Sequence, residues 1–109
     1  MIKHLFVVDP LTHVRIDQDS SFGLIAEAQR RGQGVWTCQL DGLSASTQGA
    51  RAACRATTVR AVQGEHVTLG ALEDLKLGAF DVIWMRKDPP FDMEYVAATW
   101  ILDLAPTTT

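Results

Sequence analysis

Long hydrophobic runs are missing from this sequence. No stretch approaches the ~20 residues of a membrane span, and the apolar core at its start, Leu5 to Val8, is too short for a signal peptide. Cysteine is scarce: Cys38 and Cys54 form no C-x-x-C and have no nearby histidine, which excludes a disulfide framework or a dense zinc site. His4, His13 and His66 fall in three separate segments and supply no metal-ligand spacing. There is no G-x-x-x-x-G-K-[ST] and no G-x-G-x-x-G, so the chain has no recognisable phosphate loop, and Gly32-Gln33-Gly34 follows a helix instead of opening one. No G-x-S-x-G elbow, no Ser/His/Asp arrangement and no pair of acids placed for proton transfer can be argued from spacing. A basic excess is absent too: 10 basic residues stand against 13 acidic ones, net charge −3, so no sequence-wide bias points to nucleic acid.

What is present is globular. The 109 residues, 47% hydrophobic and 21% charged, make about one domain with enough length for a core and exclude a disordered chain. Residues 1–105 are read as that domain and 106–109 as a tail. Cys38, inside an apolar run, reads as a reduced buried cysteine, which fits a cytoplasmic protein.

The order of elements begins with β-α-β. Residues 2–8 form a short apolar strand that Asp9-Pro10 ends. Asp19-Ser20-Ser21 then supplies helix-capping types, and Phe22, Ile25, Ala26 and Gln29 make one helical stripe. Gly32 or Gly34 closes that helix, and Val35 to Leu40 is a second strand, which implies a parallel pair with a right-handed crossover. Residues 41–49 read as a loop. Ala50 to Val62 carries both helix and strand formers, and Gly64 turns it back into His66 to Leu69 as a hairpin. Ala71 to Leu77 reads as a short helix or turn. Phe80 to Met85 is the clearest later strand, stopped by Pro89-Pro90. Asp92 then caps a helix with Met93, Val96, Ala97, Trp100, Ile101 and Leu104 on one face, and Trp84 and Trp100 are expected in the core. The fold class expected is α/β: a Rossmann-like, open, mainly parallel sheet with flanking helices and a β-hairpin insertion around residues 50–69.

In an open parallel sheet ligands collect beyond the carboxyl ends of the strands, at helix N-termini. The first strand delivers Asp9-Pro10 and then Asp19, Ser20 and Ser21, while the last delivers Arg86, Lys87 and Asp88. If both strands are parallel, these segments open on one edge and suit a small anion, with Arg86 able to grip a carboxylate in bidentate fashion. On local pattern alone, simple helix capping is the default account of Asp19 and the serines. A solvated charge or an ion pair with Asp88 accounts for Arg86 and Lys87. The spaced Arg51, Arg55 and Arg60 read by default as a solvated face.

Several of these segments together resemble a known family. Asp9-Pro10, Asp19-Ser20-Ser21-Phe22, Glu27 to Gly32, Ala50-Arg51-Ala52, and above all the octapeptide Met85 to Asp92 (MRKDPPFD) are similar to the amino-terminal domain of bacterial glutathione synthetases. The likeness runs over residues 1 to 104. It implies a pre-ATP-grasp fold that helps shape the γ-glutamylcysteine site of a ligase. Arg86, Lys87 and Asp88 would face the substrate, and Asp19, Ser20 and Ser21 would form the neighbouring edge. It also implies ATP and magnesium for the full-length enzyme, held by later ATP-grasp domains that have no counterpart before Thr109. This chain is therefore expected to hold no cofactor or metal itself and to be inactive as a ligase alone. Its expected partners are γ-glutamylcysteine or glutathione, the missing ATP-grasp domains, and a second copy in a homo-oligomer, with no nucleic acid and no membrane. Two other readings are a free-standing domain that binds a γ-glutamyl peptide or other small anion, and a self-associating interaction module.

Overall fold

Residues that are apolar on both faces of a strand must be covered from both sides, and this requirement organises the domain around β1 (Lys3–Val7), buried from His4 onward. The computed structural model describes residues 1–47, 49–86 and 93–105. In it β1 pairs in parallel with β2 (Gly34–Cys38) on one side and β6 (Val82–Met85) on the other. The crossover between β1 and β2 is α1 (Ser20–Arg30), as the opening β-α-β pattern requires. Asp19 caps α1 by accepting the Phe22 N–H at 2.7 Å. Gly32, at φ +73°, closes it with an N–H to the Gln29 carbonyl.

The hairpin expected around residues 50–69 is present and longer. β4 (Gly49–Val59) and β5 (Val67–Lys76) pair antiparallel, with Gly64 at φ +89° in the turn. The ambiguity at Ala50 to Val62 resolves to strand through Val59. Residues 71–76, expected as a helix or turn, are strand instead. Ala71, Leu72, Glu73 and Leu75 favour helix locally, but their backbone completes the ladder to β4, and Arg51 pairs with Asp74 across it at 3.0 Å. Within residues 41–49, expected as a loop, a 3₁₀ turn (Leu40–Gly42) leads into β3 (Leu43–Ser46), which also pairs with β4, and Gly49 already opens β4. Gly42 is dictated by close approach: a Cβ there would lie 2.6 Å from the Ala53 carbonyl oxygen.

The sheet order is β3-β4-β2-β1-β6, with β5 on the free edge of β4. The three parallel strands are the Rossmann-like part, and the antiparallel pairs belong to the hairpin and β3. One apolar layer gathers Phe6, Phe22, Ile25, Val35 and Val59 beneath α1. The other gathers Leu5, Val7, Cys38, Ala52, Leu77 and Phe80 on the opposite face. That second face is covered by α2 (Met93–Leu102), whose buried contact is Ala98, with Tyr95, Ile101 and Leu102 beside it.

The expected stripe on α2 is therefore rotated. Trp100 and Leu104 are 62% and 59% exposed, so Trp100 is not a core residue. The helix is apolar on every side, which leaves its periodicity unable to choose a face. Asp92, expected as its cap, lies outside the described residues. Trp84 is half-buried, stacks on Phe6 at 5.5 Å between ring centroids, and donates its N–H to His4. No helix among the described residues is long and apolar enough to cross a membrane.

Candidate functional site

Because β1 and β6 run in parallel, their carboxyl ends emerge on one edge of the sheet, beside the start of α1. The ladder carries slightly past both strands: the Arg86 N–H donates to the Val7 carbonyl at 2.9 Å, and the Val8 N–H to the Cys38 carbonyl at 3.0 Å. Arg86 is thus fixed by its own backbone before its side chain acts. Its guanidinium reaches the first residues of α1, with Nε donating to Ser21 Oγ at 3.1 Å and Nη2 to Ser20 Oγ. Asp19, Ser20, Ser21 and Arg86 meet, as the parallel topology predicts. They line a cleft of about 250 Å³ together with Asp9 and the loop residues Leu11 and Val14. Lys87 and Asp88 lie outside the described residues.

The chemistry of this edge follows from its donors. A hydroxyl that accepts from a guanidinium keeps its own proton to donate, so Ser20 and Ser21 present two O–H groups backed by a cation. Within α1, Asp19 takes the Phe22 N–H with its side chain and the Gly23 N–H with its carbonyl. The earliest amides of any helix have no acceptor in the helix itself, and the positive end of the dipole adds to them. The capping reading of Asp19 is correct and does not compete with the site, since the cap holds the helix start against Arg86. Asp9 adds a carboxylate to the same cleft. A group bearing both a carboxylate and an ammonium fits this mixture of charges better than a bare anion does.

A second cleft of about 350 Å³ opens where β4 diverges from the end of β2, lined by Cys38, Cys54, Arg55, Leu69 and Leu72. Sequence reasoning did not find it, because its members come from four segments brought together only by the antiparallel hairpin. Both thiols are free and buried. Burial pushes Cys38 up to about 12, helped by negative charge at Asp41, and Cys54 up to about 11, helped by Glu73 and Asp74. Neither is a thiolate nucleophile near neutral pH.

The three spaced arginines behave as a surface set. Arg51 pairs with Asp74, Arg55 donates to the Gly70 carbonyl at 2.9 Å, and Arg60 pairs with Glu65. On α1, hydrogen bonds from Arg30 and Arg31 pull the Glu27 carboxyl down to about 2. Among the described residues no group of three His, Cys, Asp or Glu side chains could hold a metal ion.

Comparison with known proteins sharpens this geometry. The sequence profile described as "Prokaryotic glutathione synthetase, N-terminal domain" matches residues 2–109. Similar curated proteins named glutathione synthetase come from Salmonella typhi (41% identical over 105 residues), Ralstonia nicotianae (40% over 104) and Escherichia coli strain K12 (42% over 105). These matches cover 96%, 95% and 96% of this chain, but 33%, 32% and 33% of the relatives. The chain therefore spans about a third of the length of the curated relatives it matches.

Proposed function

Because the chain belongs to the family of prokaryotic glutathione synthetase N-terminal domains, we propose that it serves as the substrate-side domain of an ATP-dependent ligase joining γ-glutamylcysteine to glycine. The observation that carries this reading is the junction of Arg86 with Ser20 and Ser21 at the open edge of the parallel sheet. In this role Arg86 receives a carboxylate of the γ-glutamyl peptide, and the two serine hydroxyls donate to the same group. Asp19 keeps the helix start in place, and Asp9 offers negative charge to the peptide's ammonium. The reading also assigns Lys87 and Asp88, next in sequence, to substrate binding.

The sequence carries no glycine-rich phosphate loop, and the described residues hold no cluster of three metal-ligating side chains. The reading assigns ATP and magnesium to the part of the full-length relatives outside the matched third, where ATP would supply the phosphoryl group that activates the peptide carboxylate. Exposed Trp100 of α2 and Leu104 in the turn just after it would seat that remainder, since exposed apolar surface of this kind favours cover. The chain alone is expected to carry out no ligation. A cytoplasmic location accords with its two free thiols.

Calorimetric titration with γ-glutamylcysteine tests the reading. The chain should bind, and Arg86→Ala should weaken binding at least ten-fold, the order expected when a charge-assisted hydrogen bond is lost. No heat from the unsubstituted chain, or equal heat from the variant, overturns it.

A further inference from the structure

The loop that walls the Arg86 cleft, residues 11–19, is tied to the tip of the β4–β5 hairpin by three hydrogen bonds that cross at least 47 positions of sequence. The Gln63 side-chain amide makes two of them. It accepts the Ile16 N–H at 3.0 Å and donates to the Val14 carbonyl at 3.0 Å, pairing with that backbone as a neighbouring strand would. His66 makes the third, with Nε2 donating to the Leu11 carbonyl at 2.6 Å. Its other nitrogen, Nδ1, accepts the Gly64 N–H, which fixes the ring as the neutral tautomer protonated at Nε2. Edge contact with Phe22 of α1 holds the same ring from the other side. The hairpin is anchored in turn by Gln29 of α1, whose amide takes both the N–H and the carbonyl of Val59 at 2.8 Å.

Leu11 and Val14, the residues whose carbonyls are held, both line the cleft. The chain from Val14 continues through a turn closed on the Arg15 carbonyl to Asp19, the cap of α1. The position of one cleft wall is thus set from the hairpin tip, through groups that never face the cleft. We propose that Gln63 and His66 are positioning residues for the γ-glutamyl site: they hold the Leu11–Ile16 wall at the distance from Arg86 and Ser20 that the ligand requires. This rests on the reading of the cleft given above. It assigns the hairpin insertion a role in substrate affinity besides covering the sheet.

Gln63 is exposed, so Gln63→Ala removes two hydrogen bonds without opening the core, and water can replace them. The test is γ-glutamylcysteine titration of the parent chain, Gln63→Ala and Gln63→Glu, alongside their melting curves and exchange of the Ile16 amide. Gln63→Ala should bind about three- to ten-fold more weakly with little change in Tm, and Ile16 should exchange faster. Gln63→Glu, which retains the acceptor for Ile16 but not the donor for Val14, should fall between the two. If the alanine variant binds as tightly as the parent, the positioning role is wrong and the reading of the cleft stands. If affinity falls only as far as Tm does, the two bonds serve stability alone. If the parent itself does not bind, the reading of the cleft fails and the positioning role fails with it. His66→Gln, which can still donate to Leu11, should bind closer to the parent than His66→Ala does.

Discussion

Raising the pH should destabilise this domain through its two buried thiols. An ordinary cysteine ionises near 9, whereas burial pushes Cys38 up to about 12 and Cys54 up to about 11. The folded state therefore keeps protons that the unfolded chain releases, and stability falls with pH wherever the folded state binds more. The contribution is fully present below pH 9 and is lost as pH rises through the folded values. At pH 10 the unfolded thiols are mostly ionised and the folded ones are not. Linkage then gives roughly 1.4 kcal/mol per thiol, or about 2–3 kcal/mol together. Urea denaturation at pH 8 and pH 10 measures the loss directly. Other groups titrate in the same range, so Cys38→Ala with Cys54→Ala is the control, and the part of the pH dependence due to thiols should vanish in it. Consistent with this, 5,5′-dithiobis(2-nitrobenzoate) should label neither thiol in the native protein at pH 8 and both in urea. Native labelling at the rate of a free thiol, or an unchanged pH dependence in the double variant, would refute the reasoning.

Gly42→Ala should destabilise by about 1–3 kcal/mol, because its methyl would meet a backbone carbonyl, which cannot rotate away as a side chain can; the urea midpoint reads this, and a neutral result means that the turn can move off β4. Asp19→Ala should cost about 1 kcal/mol by exposing the Phe22 N–H that it caps. Asp19→Asn should retain most of that stability, and a cost for asparagine as large as that for alanine would show that the charge matters more than the cap.

Elements with strong local signals were legible in the sequence. The β1–α1–β2 unit followed from an apolar strand, the Asp19 cap, an apolar stripe and the Gly32 stop, and Gly64 marked the hairpin turn. Strands imposed by a partner were not legible. β5 past Leu69 is built largely of helix formers, and β3 is mostly exposed serine and alanine; both exist because β4 offers an edge to pair with. On α2 the sequence was apolar all round, so the buried face was settled by packing against the turn at Leu40–Gly42 and β3, and Trp100 was left outside.

At the site, parallel topology alone was enough to bring Asp19, Ser20, Ser21 and Arg86 together from opposite ends of the chain. That the guanidinium reaches the Ser20 and Ser21 hydroxyls was beyond pattern reading. So were Gln63 and His66, since a glutamine and a histidine in a turn carry no periodic or motif signal for a loop 47 residues or more away.

The central claim is that the edge formed by Arg86 and the start of α1 holds the γ-glutamyl peptide. Amide chemical-shift mapping of the labelled chain with γ-glutamylcysteine tests it most directly. The account predicts shifts concentrated at Ser20, Ser21, Phe22 and Arg86, and their loss in Arg86→Ala while the spectrum stays folded. Shifts clustered instead around Cys38, Cys54 and Leu72 at the second cleft, or none at all, would contradict it.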